Sequence, residues 1–316
     1  MSVAAALPSL AAFAQLAPRR IGFLSLSTAA GLATRLDAFR AGLRDFGYVE
    51  GNNLVIEYRW ADGNAARLPE LAADLVKLDV EVIVTHGPPG IRAARQASSV
   101  IPIVIAAIGD VLAGGFVMSL ARPGNNITGM SFFSPQLAGK RIELLREALP
   151  RATQAAVLLN PDNLVNASAL EAVATTARSL KLDVKPFHAR SRADFESAFL
   201  DMRAARLSAV MLIDDPMLNN QLAALAELAA KHRIASVGGA ELPDAGGWLG
   251  YGPSIPGLFR RSANFVDRIL KGAKPADLPI EQPTTFELNI NQKMARELGL
   301  SVLPSSLMLR ADKVIQ

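Results

Sequence analysis

Apolar residues come in short continuous runs separated by amphipathic stretches, and the order repeats along the chain. Positions 21–26 are a run of the kind that a parallel strand buried on both faces requires. Positions 33–46 then carry Leu36, Phe39, Leu43 and Phe46 at helical spacing, and Gly47 stands where a helix C-cap is expected. An alternating run follows at 54–58. Residues 154–188 give the same signals again: an apolar run at 155–159, a polar loop at 160–163, an amphipathic stretch ending at Leu180 and a second run at 182–187. The chain therefore reads as two α/β units built on one plan.

The alternation continues between these landmarks. The first unit predicts helices over 68–78, 91–97 and 112–120, and strands over 81–85, 101–107 and 127–132. The second predicts helices over 136–148, 167–180, 193–204 and 217–232, and strands over 209–213, 234–237 and 248–251. A long helix over 257–270, a proline-rich stretch at 275–283, an apolar run at 285–290 and a helix over 292–298 follow. Strands alternating with helices imply right-handed crossovers and parallel sheets. The expected architecture is α/β: two Rossmann-like lobes, each a parallel sheet flanked by helices, joined by hinge crossings near 132, near 252 and in the proline-rich stretch. The expected boundaries are 19–132 plus 253–282 for an N-terminal lobe and 133–252 plus 283–316 for a C-terminal lobe.

Open α/β sheets bind ligands at the carboxyl ends of their strands, and two facing lobes enclose a cleft. That rule selects Ser27, Thr28, His86, Gly87, Pro88, Gly109, Asp110 and Ser131 on one side. It selects Asn160, Asp162, Asp214 and Glu241 on the other, with Phe132 and Tyr251 near the crossings. Helix N-termini offer free N–H groups to a carboxylate, while Asp110, Asp214 and Glu241 offer acceptors to an ammonium. The combination fits a zwitterion. The same residues also have structural readings. Ser27, Thr28, Asp162 and Asp215 suit helix caps, Asp110 suits an Asx turn, and the aromatics suit hinge packing. Asp214 and Asp215 point to opposite sides of a strand end, which disfavours joint metal ligation.

Composition narrows the class. A chain of 316 residues, half of them apolar, suits two α/β cores. No apolar run approaches the roughly 18 residues of a membrane-spanning helix. The formal net charge of +4 is spread out, without the dense basic block of a nucleic-acid footprint. The absence of cysteine excludes disulfides, thiolate nucleophiles and cysteine metal sites. Ser-Leu-Ser-Thr-Ala-Ala-Gly at 25–31 stands where a dinucleotide fingerprint would be, and neither a Walker A loop nor a G-x-S-x-G elbow occurs. An enzyme, a cofactor and a metal are therefore not expected. Residues 1–18 are Ala/Leu-rich, with Ala12-Phe13-Ala14 before Gln15 in the small-x-small pattern of a signal peptidase site. No basic residue precedes Arg19, so the segment is read as a residual or truncated signal-like segment, the alternative being an Ala-rich tail or a short surface helix.

Six segments carry a family resemblance. They are FRAGLRDFGYVEGNN at 39–53, EYRWADGN at 57–64, IPIV at 101–104, SLARPGNNITG at 119–129, LLNP at 158–161 and ARELGL at 295–300. In this order they resemble the ABC-transporter substrate-binding proteins of the tryptophan/tyrosine-type group, which share the type I periplasmic binding protein fold. The resemblance implies an exported, periplasmic receptor, expected as a monomer. It would capture a small carboxylate-bearing solute, an amino acid or aromatic compound, in the interlobe cleft, and dock on the membrane permease of an ABC importer. Two loops depart from the family pattern: Val111 follows Asp110, and His86-Gly87-Pro88-Pro89-Gly90 follows the third strand. The alternatives are a cytoplasmic ligand-sensing domain of the repressor-effector type, which needs a helix-turn-helix ahead of the first strand, and an enzyme, which needs a catalytic constellation.

Overall fold

The computed structural model describes residues 17–300 and 303–316. All but the last two residues of the signal-like segment lie outside them. The first unit runs β1 (Arg19–Ser25), α1 (Ala33–Asp45), β2 (Leu54–Trp60), α2 (Leu68–Lys77), β3 (Val82–Thr85), α3 (Gly87–Ala97), β4 (Ile103–Ile108) and β5 (Ile127–Ser131). Its sheet has the order β2-β1-β3-β4-β5, and every pairing is parallel.

The second unit runs α4 (Ser134–Ala148), β6 (Gln154–Leu159), α5 (Asn166–Ser179), β7 (Asp183–His188), α6 (Phe195–Ala204) and β8 (Ala209–Leu212). It continues with α7 (Pro216–Asn219), α8 (Leu222–Lys231), β9 (Ala235–Gly238) and β10 (Leu249–Gly252). These strands pair in the order β7-β6-β8-β9-β10, the plan of the first sheet over again. The chain then returns through α9 (Ile255–Leu270) and closes with β11 (Glu287–Asn291), α10 (Gln292–Glu297), α11 (Ser305–Leu309) and β12 (Lys313–Ile315). β11 is antiparallel to β10, and β12 extends the edge in parallel.

The continuous apolar runs are strands because each sheet is covered on both faces. Alternate residues of one strand feed different cores. Ile21 and Phe23 of β1 meet Phe39 and Leu43 of α1 and Phe259 and Phe265 of α9, while Leu24 of the same strand meets Leu75 of α2 and Ile91 of α3. In the second sheet Val157 and Met211 pack with Ile142 and Leu145 of α4, and Leu158 and Leu212 with Phe195 and Phe199 of α6. Each such buried Leu, Ile or Phe contributes roughly 1.5–3 kcal/mol by leaving water. α9 follows β10 in sequence but packs against α1, β4 and β5 of the other sheet, so the chain crosses at Pro253-Ser254 as well as at Phe132-Phe133. A third passage leaves the isolated bridge between Met130 and Glu281 and enters β11.

Four local expectations change. No helix forms over 112–120. Asp110 Oδ1 accepts from the N–H groups of Leu112 and Ala113, and Gly115 takes φ +66°, so the segment folds into turns. α3 begins four residues earlier than the periodicity indicates, at Gly87. Pro88 and Pro89 fit its first turn because N–H groups there have no helical partner. The span 217–232 divides into α7 and α8, with Asn220-Gln221 between them. α11 and β12 were not anticipated, being short and only partly buried.

α1 and α9 approach closely because Gly42 has no side chain. A Cβ there would lie 2.3 Å from the Arg260 carbonyl oxygen. Gly42→Ala is expected to cost about 2 kcal/mol or more, read as a lower urea midpoint at unchanged m-value.

Candidate functional site

The two sheets present their carboxyl ends to each other. Both have a topological switch point, between β1 and β3 and between β6 and β8, and the cleft lies where the loops at these points meet. It encloses about 510 Å³ of space unfilled by protein atoms, mouth included. His86, Gly87 and Pro88 after β3, and Ile108 and Gly109 after β4, form the first wall. Asn163 and Val165 after β6, and Asp214, Pro216 and Asn219 after β8, form the second. Phe132 and Ile255 close the crossing side, Phe259 of α9 lies at the base, and Arg35 of α1 reaches in from the rim.

His86 is the N-cap residue of α3 and is 6 % exposed. Its Nε2 lies 2.9 Å from Ser25 Oγ, which also accepts from the Ser27 N–H at 3.0 Å. The hydrogen bond between Ser25 Oγ and Nε2 can be donated by either atom, according to the imidazole tautomer. Among the described residues Nδ1 makes no hydrogen bond. Burial, reinforced by the Arg35 charge, lowers the His86 pKa to about 3. The ring stays neutral near pH 7 and packs against Phe259, with centroids 5.5 Å apart.

The second wall is held by two divergent carboxylates, as expected of neighbours at a strand end. Asp214 Oδ2 accepts from Arg141 Nη1 at 2.7 Å in an ion pair whose side chains are 1 % and 6 % exposed. Arg141 Nε donates to the Tyr251 carbonyl, also at 2.7 Å. Asp215 caps α7 through the Met217 and Leu218 N–H groups and accepts from the side-chain amides of Asn163 and Asn166. Desolvation pushes its carboxyl above the ordinary range against the pull of those donors. Gly87 faces Pro216 across the cleft; its φ is +66°, and a Cβ there would lie 2.5 Å from Pro216 Cγ. At the rim Arg35 Nη2 donates to Glu241 Oε2 at 2.5 Å, bridging α1 to the loop after β9.

Of the residues nominated from sequence, the structure brings His86, Gly87, Pro88, Gly109, Phe132 and Asp214 together in the cleft wall. Glu241 lines an adjoining outer groove with Asp244 and Glu287. The others serve their own surroundings. Thr28 Oγ1 accepts from the Gly31 N–H, and Ser27 Oγ is buried with no partner among the described residues. Asp110 Oδ1 caps its own turn, the Asx reading weighed beside the ammonium contact, and Ser131 Oγ accepts from the Val111 N–H. Asn160 Oδ1 accepts from the Asp162 N–H, and exposed Asp162 pairs with Arg190. Tyr251 stacks on Phe286 at 6.2 Å. Arg35, Ile255 and Phe259 were not nominated. They sit on helices, where the strand-end rule gives no signal. Among the described residues no cluster of three or more His, Asp or Glu could hold a metal, and no helix is long and apolar enough to cross a membrane.

A sequence profile described as "ABC transporter substrate binding protein" matches residues 22–315. The chain belongs to that family. Its members are solute-binding proteins rather than enzymes, and the two-lobed α/β architecture is the type I periplasmic binding protein fold. A "Tyrosine-binding protein" of Clostridioides difficile (strain R20291) is 21 % identical over 286 residues, which is 90 % of this chain and 82 % of the relative. An ABC domain from Streptococcus pneumonia, solved in complex with L-Trp, superposes with a TM-score of 0.87 at 23 % identity, over 95 % of this chain and all of that one. A ligand-free, open substrate-binding protein with adhesive properties from Clostridium difficile gives a TM-score of 0.67 at 21 % identity, over 94 % and 99 % of the chains.

Two outcomes test this geometry in the substrate-binding protein. Arg141→Met leaves Asp214 buried and unpaired, and should cost about 3–5 kcal/mol in urea unfolding. The double variant Arg141→Met/Asp214→Leu should recover much of that loss. For His86, the folded pKa of about 3 lies below the unfolded 6.5, so the unfolded chain binds the proton first. Its stability contribution is complete above pH 6.5 and is lost as pH falls toward 3. The His86 ring should show no NMR titration between about pH 5 and 8, and His86→Asn should flatten the acid limb of stability.

Proposed function

We propose that this protein is the exported solute-binding component of an ABC importer, and that it captures an aromatic, carboxylate-bearing solute between its lobes. An amino acid of the tyrosine or tryptophan kind is the first expectation. The observation that carries the reading is the make-up of the cleft. Phe132, Phe259, Ile255 and the neutral His86 ring give an apolar, partly aromatic chamber, with the Arg35 guanidinium at its rim. Aromatic walls favour a flat side chain, and a guanidinium is suited to a carboxylate. The tyrosine-binding relative and the L-Trp complex support the same class. The two lobes already touch across the cleft through Arg35–Glu241 and Gly87–Pro216, the arrangement expected of a receptor that closes on its ligand.

Partners in this reading are the solute and a membrane permease, with the receptor acting as a monomer in the periplasm. Closure is driven by the difference in the solute's affinity for the closed and open states.

Native mass spectrometry of freshly purified protein, followed by calorimetric titration with L-tyrosine, L-tryptophan, L-leucine and a pentose, tests the class. Tyrosine or tryptophan should bind at least about tenfold more tightly than leucine, and Phe132→Ala should remove about tenfold. Equal affinity for leucine, or binding of the sugar alone, overturns the aromatic reading.

A further inference from the structure

The Arg35–Glu241 bridge joins the lobes at the rim of the cleft. Arg35 lines both the inner chamber and the outer groove, and Glu241 lines the groove and the narrow space that connects it to Phe132 and Asp214. Each partner keeps spare capacity. Arg35 uses Nη2 for Glu241, and among the described residues its Nε and Nη1 make no hydrogen bond. Glu241 uses Oε2 and leaves Oε1. Their side chains are 11 % and 26 % exposed, so screening by water is partial.

The other carboxylates near the cleft are already committed. Asp214 is neutralised by Arg141. Asp215 is surrounded by four N–H donors. Asp110 is folded into its own turn. Glu241 is the acid that meets a cation of the other lobe, and its Oε1 keeps lone pairs to offer an ammonium. Arg35 is the cation that lines the chamber, with the His86 ring beside it in the lining.

We propose that Arg35 and Glu241 together select a zwitterion: the carboxylate of a bound amino acid takes the unengaged edge of the Arg35 guanidinium and its ammonium takes the open Oε1 of Glu241, so that the ligand adds to the contact the lobes make with each other. The inference rests on the reading that the solute is an aromatic amino acid. A zwitterion supplies a counter-charge to both residues and keeps the closed cleft neutral. A desamino acid brings its carboxylate to Arg35 but sets a second negative charge beside Glu241. An amine sets a second positive charge beside Arg35 and offers its unengaged edge no acceptor. Rejection by an unmatched charge in a partly desolvated site is a stronger filter than one more attractive contact. It discriminates at the α-carbon substituents, leaving the choice of side chain to the aromatic chamber.

The test compares L-tyrosine, 3-(4-hydroxyphenyl)propionate and tyramine by calorimetry on the full chain, with the thermal midpoint of each variant recorded. The wild type should prefer tyrosine to either analogue by at least about tenfold. Glu241→Gln should weaken tyrosine by about tenfold while the desamino acid binds as before or more tightly. Glu241→Lys should invert the preference between them. Arg35→Gln should weaken tyrosine and the desamino acid together and spare tyramine. If Glu241→Gln weakens tyrosine and the desamino acid equally, the pair is only a latch between lobes and the proposal falls. A wild type that binds tyrosine while both residues prove indifferent to charge overturns the proposal alone. A wild type that binds none of the three overturns the aromatic amino acid reading, and the proposal with it.

Discussion

Much of the second lobe's contribution to the cleft depends on one guanidinium. Arg141 lies on α4, immediately after the first crossing, and is 1 % exposed. It reaches Asp214 in the loop after β8 and the Tyr251 carbonyl at the end of β10, where the chain leaves for the second crossing. An arginine this deep is tolerated only because its charge and its hydrogen-bond donors meet partners. The geometry that satisfies it also fixes the cleft wall relative to two crossings. Gly252 takes part by staying small: a Cβ there would come within 3.1 Å of the guanidinium. The cleft-facing loop of the second lobe is thus fastened to the end of β10, beside the second crossing.

The duplicated strand order explains why the two halves meet as they do. A switch point opens a crevice at the carboxyl edge of a sheet because the helices on either side of it run over opposite faces. Two sheets with the same order, joined at neighbouring ends, bring two crevices together. The first supplies the His86–Ser25 pair and the glycine-proline turn of α3, and the second supplies the Asp214-Asp215-Pro216 turn. Neither half encloses the chamber alone.

The fold was legible because both sheets are covered on both faces, so the strands leave unbroken apolar runs that stand out from amphipathic helices. Reading failed where periodicity was outvoted locally. The apolar positions of 112–120 have helical spacing, but a glycine pair and the Asp110 carboxylate turn the backbone first. At the cleft, the strand-end rule reached His86, Gly109, Phe132 and Asp214, since their position follows from topology. It also selected Asp110, Ser131 and Asn160, whose side chains are absorbed by nearby backbone N–H groups; that competition is local and depends on turn geometry that the sequence does not display. Arg35 and Phe259 belong to helices, and which side of a helix faces a cleft between lobes is settled by packing across the whole molecule. The Phe259 spacing marks it only as core.

The contact between Gly87 and Pro216 has a mechanical meaning. A bare α-carbon meets a proline ring, two of the least compressible pieces a chain can set against each other, and neither has a rotamer with which to yield. Repulsion between packed atoms rises far more steeply than any attraction a solute can add. The contact is therefore a doorstop. In the receptor proposed above, a compact guest would not draw the lobes past it, and a bulky guest would hold them short of it.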